Sequence, residues 1–312
     1  PTTGTTPNLG FERSVVWARL RIDNRLEHPA TYYLDLAYPL LDWVSLYIVS
    51  SSGVTEYHTG DREPFSARPV AARTFLFPVQ LQPSQPVTVY LRVETVGSLN
   101  LPLDLLSQNA AFERLSIETG MLALYYGALL MLVIYNLYHA WRLQDVNAAN
   151  YAAFILGYIA FQLALNGLSF QFFWPNHPWW ANVSLPIFLC VAYLLGVRFS
   201  RSILDTATKA PQIHRVLGML RWPAFAGILL ALFGPYDLAL PFAVALVFTV
   251  VLFIAAGFKI SLQGYRPARY YSLAWTVFLG SMFIYALTVF GVLPTNFFTA
   301  WVTQFGSVWQ AV

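Results

Sequence analysis

The chain has 312 residues, of which 57% are hydrophobic and only 11% are charged. Soluble domains carry about 45–50% apolar and about 25% charged residues, so this composition excludes a single water-soluble globule. Aromatic residues make up 17%, which excludes an intrinsically disordered chain. Residues 1–118 hold nine cationic and twelve acidic side chains, whereas residues 119–312 hold nine and three. We therefore predict a multi-domain protein in which a charged domain precedes a membrane-embedded one.

Several classes of protein are excluded by simple counts. Basic residues of the second region lie in short loops between apolar runs, which indicates membrane orientation and not nucleic-acid binding. The single cysteine, Cys190, rules out a disulfide framework. The five histidines have no metal-ligand spacing, so no metal or other cofactor is expected. Because the first residue is Pro1, we expect a processed chain whose signal peptide has been removed.

Residues 1–104 have the pattern of an all-β sandwich. In Val15–Ile22, alternation places Val16, Ala18, Leu20 and Ile22 on one face of a strand. Residues 51–53 and 82–84 are typical of turns. The expected strands are Val15–Ile22, Thr31–Ala37, Val44–Val49, Val54–His58, Arg73–Val79 and Val87–Glu94.

The side chains predicted to point away from the core combine aromatic rings with charges. Rings offer flat surfaces for stacking, and Arg and Asp bind hydroxyl groups, as a sugar or another small polar ligand requires. The alternative is that these residues form a second core layer or pack onto the membrane region. The candidate ligand-binding residues are Trp17, Arg19, Tyr33, Asp35, Trp43, Tyr47, Tyr90 and Arg92.

A polar, turn-rich segment, residues 59–68, lies between two predicted strands, and segments of this kind often contact ligands. It adds Asp61, Arg62 and Arg68 to the candidate ligand-binding residues. The same side chains would equally order the loop through salt bridges, Asp61 with Arg62 or Arg68 with Asp42.

Residues 105–118 are predicted to be a weakly amphipathic linker at the membrane surface. Residues 119–312 then contain seven apolar runs, each long enough or nearly long enough to cross a bilayer. The seventh run starts near Asn296 and continues to Val312, so we expect that this helix is truncated. The first six runs are 120–141, 148–168, 182–200, 219–236, 238–258 and 270–293.

All nine basic residues of this region fall in three loops that lie on the same side of the membrane. The loops around 169–181, 237 and 294–297 contain none. Positively charged loops remain cytoplasmic, so the N-terminal domain is expected outside and the C-terminus in the cytoplasm. The basic residues are Arg142, Arg198, Arg201, Lys209, Arg215, Arg221, Lys259, Arg266 and Arg269.

The predicted spans contain no ionisable residue deep within the membrane, which disfavours a pump or transporter. A retinal Schiff base would need an intramembrane lysine, and the predicted spans contain none, so a retinal protein is excluded. No nucleophile–base pair, metal cluster or phosphate-binding loop stands out either, so no enzymatic activity is expected for these residues.

Motifs along nearly the whole chain resemble one family, the bacterial 7TMR-DISM receptors, which have a type 2 periplasmic domain followed by a seven-transmembrane region. Those in the outer domain are Leu9–Phe11, Val15–Leu20, Tyr38–Asp42, Thr59–Arg62, Pro64–Pro69, Phe75–Pro78 and Leu99–Leu103. Those in the membrane region are Tyr125–Gly127 with Tyr135–Asn136, Asn166–Gln171 with Trp174–Pro175, Gly264–Tyr270 and Gly291–Phe297.

The resemblance implies a jelly-roll outer domain, similar to carbohydrate-binding modules, that senses a periplasmic small molecule or glycan. It also implies a multi-pass protein of the bacterial inner membrane whose helices relay the signal to a cytoplasmic module in cis. A histidine kinase or a diguanylate cyclase is the expected output. Receptors of this kind are commonly dimers. The alternative is a membrane-anchored module for protein interaction or dimerisation, without small-ligand sensing.

Overall fold

The computed structural model describes residues 8–10, 14–25, 27–289, 292–294 and 296–311. These residues form two compact units. The first unit comprises the described parts of Pro1–Met121, Leu165–Asn182 and Leu287–Thr295. The second comprises those of Leu122–Ala164, Val183–Ala286 and Asn296–Val312.

The first unit is built on two antiparallel sheets, one of four strands in the order β1-β6-β3-β4 and one of three in the order β5-β2-β7. Successive strands often change sheet, as β1, β2 and β3 do, so the connections cross from one layer to the other. The strands are β1 (Val16–Asp23), β2 (Ala30–Leu36), β3 (Trp43–Ser50), β4 (Gly53–Thr59), β5 (Phe75–Leu81), β6 (Pro86–Glu94) and β7 (Leu103–Ser107).

The sandwich core lies between the two sheets. The three-stranded sheet contributes Leu34 and Phe77, and the four-stranded sheet contributes Leu46 and Leu91, all at most 2% exposed. Burying one such side chain contributes about 1.5–3 kcal/mol to folding. In β1, the residues on the face predicted to be apolar pack against this core. The predicted all-β sandwich is confirmed.

The predicted linker at 105–118 is wrong. Residues 103–107 form β7, which pairs with β2 and places Leu105 opposite Leu34. Helix α1 begins at the next residue, Gln108, and continues to Leu143. Sequence reasoning missed β7 because the strand has only five residues and lacks clear alternation of buried and exposed positions.

The described residues after α1 are mostly helical. Among the described residues, six helical segments are long and apolar enough to cross a membrane: Gln108–Leu143, Val146–Leu165, Pro178–Ile203, Pro211–Phe233, Tyr236–Ser261 and Arg266–Thr288. The elements after α1 are α2 (Val146–Leu165), α3 (Leu168–Phe172), α4 (Pro178–Ile203), α5 (Thr206–Lys209), α6 (Pro211–Met219), α7 (Arg221–Phe233), α8 (Tyr236–Phe248), α9 (Val251–Ser261), α10 (Arg266–Val289) and α11 (Phe297–Ala311).

These segments agree in number with the first six predicted spans, but their ends differ. The second was expected to reach residue 168, yet α2 ends at Leu165, and Gly167 then adopts a φ of 75° before the short helix α3. The sixth was expected to reach 293, and residues 290 and 291 of it lie outside the described part. Helix α11 occupies the seventh predicted run and has 15 residues.

Packing in the second unit is dominated by aromatic rings. The indole of Trp275 is 5.3–5.8 Å, between ring centroids, from Phe253, Tyr271, Phe154 and Phe278. Trp275 is only 2% exposed. These contacts join α2, α9 and α10, so aromatic rings form part of the core of the second unit. Other aromatic residues lie on its exposed surface.

Candidate ligand-binding site

The outer face of the four-stranded sheet brings together six of the residues predicted from the sequence. Strand register places Trp17 opposite Arg92, and Arg92 opposite Ser45, in one row across β1, β6 and β3. The next row contains Arg19, Tyr90 and Tyr47. Because side chains two residues apart share a face, these rows lie side by side. We call this surface the ligand face: Trp17, Arg19, Trp43, Tyr47, Tyr90 and Arg92.

Aromatic rings on the ligand face are arranged against one another and against cations. The rings of Trp17 and Tyr47 are stacked, with centroids 6.0 Å apart and planes at 21°. The guanidinium carbon of Arg19 lies 5.8 Å from the centroid of the Tyr90 ring. Trp17 is 56% exposed although it makes this ring contact. A flat aromatic surface is therefore open to solvent beside a positive charge.

A groove of about 330 Å³ lies at one end of the ligand face. Two members of the face, Trp43 and Arg92, line it. Nη2 of Arg92 donates to Oε2 of Glu94 at 2.6 Å, which holds the guanidinium in place. The other residues around the groove are Val44, Ser45, His58, Thr59, Glu63 and Glu94.

His58, Glu63 and Glu94 were missed by the sequence analysis. His58 stands opposite Ser45 in the β3–β4 pair, and Nδ1 of His58 lies 3.1 Å from Oγ of Ser45. The hairpin turn at residues 51–52 pairs Ser50 with Gly53 and so sets this register. Extending the predicted hairpin through that register would have placed His58 beside the groove.

Arg62, from loop 59–68, lies beside the groove, because it contacts Trp43 of the ligand face. Its guanidinium carbon is 5.6 Å from the centroid of the Trp43 ring, and its Nε donates to Oδ1 of Asp42 at 2.7 Å. Asp42 is 2% exposed and also accepts hydrogen bonds from Thr95 Oγ1 and the Val96 amide. The ion pair that orders this loop is therefore Arg62 with Asp42, which differs from both pairings expected from the sequence.

Tyr33 and Asp35 do not belong to the ligand face. Both are on β2, in the other sheet, where the first turns of α1 cover them. The Tyr33 ring is 5.6 Å from that of Phe112, and Oδ2 of Asp35 is 3.4 Å from Nη1 of Arg114. Burial raises the pKa of Asp35 from 3.8 to about 6, although the positive charge of Arg114 opposes this shift. In the structure these two residues pack against α1, an arrangement closer to the alternative of a second packing layer than to an open ligand-binding surface.

Arg68 is also away from the ligand face. It is 6% exposed, and its Nη1 donates to the carbonyl oxygens of Ala72 at 2.8 Å and Arg73 at 2.6 Å. Its guanidinium carbon lies within 5.8 Å of three ring centroids, those of Phe65, Phe75 and Phe170. Burial lowers the pKa of Arg68 to about 10. These contacts connect Arg68 to the backbone at residues 72–73 and to the rings around it.

Asp61 is 9% exposed and is held by Asn182 from the segment Leu165–Asn182. Burial, followed by repulsion from Asp42, raises its pKa from 3.8 to about 7. The same segment reaches the loop elsewhere, since the Phe65 amide donates to the carbonyl of Pro175 at 2.9 Å. Residues 165–182 therefore pack on loop 59–73 within the first unit, and Asp61 is part of that contact.

Within the described residues, no cluster of three or more His, Cys, Asp or Glu side chains could hold a metal ion. The ligand face offers stacking surfaces, charged donors and carboxylate acceptors instead. Groups of these kinds are able to contact a small polar molecule.

The chain was compared with known proteins. The family model described as 7TMR-DISM extracellular 2 matches residues 1–107. The model described as 7TM diverse intracellular signalling matches residues 118–312. No curated protein and no solved structure matches the chain. Both models describe sensor or transmembrane receptor domains and neither is catalytic. The chain therefore belongs to the 7TMR-DISM family of membrane signalling receptors, with an extracellular domain followed by a 7TM domain.

Proposed function

We propose that the ligand face is the sensory site of this receptor and that it binds a carbohydrate or another small polar molecule outside the cytoplasmic membrane. The observation that carries the proposal is the stacked pair of Trp17, which is exposed, and Tyr47, which is half-buried, near the groove at Arg92. Sugar rings present C–H faces that pack on aromatic planes, and their hydroxyl groups accept from guanidinium donors.

The energetics of the free protein support this assignment. An indole that remains mostly exposed gains little from the hydrophobic effect until a ligand covers it. Arg92 and Glu94 are already paired at 2.6 Å, so a ligand hydroxyl group that reaches the remaining N–H groups of Arg92 or the second carboxylate oxygen of Glu94 meets an ordered donor or acceptor. Such preorganisation lowers the entropic cost of binding.

The proposed signal path starts at β7 and α1. No residue separates β7, which ends at Ser107, from α1, which begins at Gln108. Arg114 connects α1 to Asp104 at 2.6 Å and Glu118 connects it to Arg73 at 2.5 Å, so the sheet holds the first turns of the helix. A ligand shifts the helices from one state of the receptor to another only to the extent that its affinities for the two states differ.

The remaining parts of the proposal concern location and output. We propose that the membrane is a bacterial inner membrane, with the sandwich in the periplasm and the C-terminus in the cytoplasm. The basic loops, which all lie on one side of the predicted spans, support this orientation. The helices would pass the signal to a cytoplasmic histidine kinase or diguanylate cyclase in cis.

The test is a ligand screen on the full chain in lipid nanodiscs, with oligosaccharides, amino acids and other small polar molecules as probes. For any probe that binds, Trp17→Ala and Arg92→Ala should each raise the Kd at least tenfold without lowering the thermal midpoint. Trp179→Ala is the matched control, because Trp179 is exposed to a similar degree and lies in α4. A probe whose Kd is the same for Trp17→Ala and Trp179→Ala binds elsewhere and contradicts the proposal.

A second candidate function, protein interaction or dimerisation, is favoured by β4. This strand is at an edge of the four-stranded sheet, and Val54 on it is 57% exposed. Edge strands offer unpaired backbone groups to another chain. If the receptor is a homodimer through this edge, Thr55→Pro should convert it to a monomer, as measured by light scattering, while ligand binding is retained.

A further inference from the structure

The second unit contains a cavity of about 720 Å³ between α1, α2 and α10, which the ends of α4 and α11 complete. Three hydrogen bonds hold these elements together at that end. Ser202 Oγ donates to Asn147 Oδ1 at 2.6 Å, Tyr271 OH donates to Ser200 Oγ at 2.6 Å, and Tyr151 OH donates to the Gln310 carbonyl at 3.2 Å. The cavity therefore lies at the end of the helices where the basic loops begin.

The cavity opens sideways, between α1 and α10. Tyr135 on α1 and Tyr270 and Leu273 on α10 all line it, and their exposed fractions are 58%, 77% and 59%. Both helices belong to segments that can span a membrane. An opening on the side of such helices faces acyl chains, so the molecule that can enter is a lipid.

The walls and the polar end of the cavity differ in character. Seven of the eighteen lining residues are Phe, Tyr or Trp, among them Tyr151, Trp275 and Trp309. The polar end has one cation, Arg266, and one carboxylate, Asp145, with His139 and Asn147 nearby. In the described part of the chain, Arg266 makes no ion pair within 4.0 Å. Asp145 accepts a hydrogen bond from the Asn147 amide at 2.8 Å through Oδ1.

We propose that this cavity is a binding site for one phospholipid with a zwitterionic headgroup, whose phosphate is bound by Arg266 and whose ammonium is bound by Asp145. Guanidinium groups bind phosphate oxygens through paired N–H donors. A carboxylate in the same cavity attracts an ammonium group and repels a second negative charge. The aromatic walls hold the upper part of an acyl chain, and the volume is within the range of about 300–1,000 Å³ typical of ligand sites.

The experiment is native mass spectrometry of the full chain from nanodiscs that contain equal amounts of phosphatidylethanolamine and phosphatidylglycerol. We expect one retained phosphatidylethanolamine per chain, enriched at least threefold over phosphatidylglycerol. Arg266→Gln should reduce retention at least fivefold. Arg269→Gln is the matched control: Arg269 is on the same helix and does not line the cavity.

Asp145→Asn separates headgroup recognition from general lipid binding. It should retain a lipid but lose the preference for phosphatidylethanolamine. Equal retention by Arg266→Gln and Arg269→Gln would overturn the proposal, and so would a preference of the unmodified chain for phosphatidylglycerol. Circular dichroism of each variant establishes that the helices are intact.

Discussion

Nδ2 of Asn182 donates to two oxygen atoms of Asp61, the backbone carbonyl at 3.0 Å and Oδ1 at 3.4 Å. The two residues are 121 positions apart, and both are buried. The contact joins the loop after β4 to the start of α4. It also places a carboxyl group where water does not solvate its charge, which is the reason for the raised pKa.

Asp61 should make the stability of the first unit depend on pH. Its pKa rises from 3.8 to about 7 on folding, so the folded state binds the proton more tightly. This contribution to stability is complete below about pH 4 and is lost as the pH rises through about 7. Asp61→Asn remains neutral, so its free energy of unfolding at pH 8 should exceed that of the unmodified chain by on the order of 4 kcal/mol, at about 1.4 kcal/mol for each pKa unit.

Denaturant unfolding at pH 4.5, 6 and 8 measures this effect. Asp35, with a pKa of about 6, should leave a smaller pH dependence in the Asp61→Asn variant. Asp23→Asn serves as control because the Asp23 side chain is 58% exposed. A profile for Asp61→Asn parallel to that of the unmodified chain would contradict the assignment.

Arg114→Gln should loosen the first turns of α1. Arg114 is bonded to Asp104 at 2.6 Å and lies 3.4 Å from Asp35, whose carboxyl group would remain buried without a cation. We expect a loss of roughly 1–3 kcal/mol and a higher pKa for Asp35. Hydrogen exchange of the backbone amides in residues 108–121 reports the loosening.

The control for Arg114→Gln is Arg21→Gln, because Arg21 pairs with Asp23 at 3.5 Å on an exposed surface, where ion pairs contribute little. If the amides of residues 108–121 exchange at the same rate in both variants, the ion cluster does not hold the helix.

Gly60→Ala should destabilise the loop that presents Arg62 to the groove. Gly60 has a φ of +156°, and a Cβ there would lie 1.9 Å from the carbonyl oxygen of Asp42. Relieving this clash requires backbone movement, at a cost of about 1–3 kcal/mol. Gly53→Ala is the control, since Gly53 also has positive φ, +134°, but no atom within 4 Å.

Thermal unfolding of the two glycine variants separates backbone strain from the clash. Gly60→Ala should have the lower midpoint by several degrees. Equal midpoints would mean that Asp42 does not constrain residue 60.

Gln162→Leu should destabilise the second unit. Its Nε2 donates to Tyr158 OH at 2.9 Å and Tyr125 OH at 3.3 Å, and Tyr125 OH is 2.8 Å from Ser307 Oγ. The network joins α1, α2 and α11. Hydrogen bonds between membrane helices contribute about 0.6–1.7 kcal/mol, so the thermal midpoint in bicelles should fall. Gln263→Leu, at an exposed position after α9, should leave it unchanged.

Prediction from the sequence succeeded where one periodic pattern determines the structure. In β1 the alternation of apolar and polar residues correctly identified the core-facing residues, because side chains in a strand point alternately to opposite faces. The apolar runs predicted seven spans, and among the described residues six helical segments are long and apolar enough to cross a membrane. The prediction was possible because a span must be about 20 residues long whatever its neighbours are. The same alternation, applied to each strand, predicted that Trp17, Tyr47 and Arg92 point away from the core.

The tertiary structure decided which predicted residues share a surface. Alternation places Tyr33 and Asp35 outside the core, but it does not show that they are in the other sheet or that α1 covers them. Arg68 in a polar loop resembles a ligand-binding residue, yet carbonyl groups and three rings converge on it. Burial of a charged group depends on distant segments that supply its partners. The sequence by itself therefore determined most of the elements and the two-part architecture, whereas β7 and the membership of the ligand face depended on long-range packing.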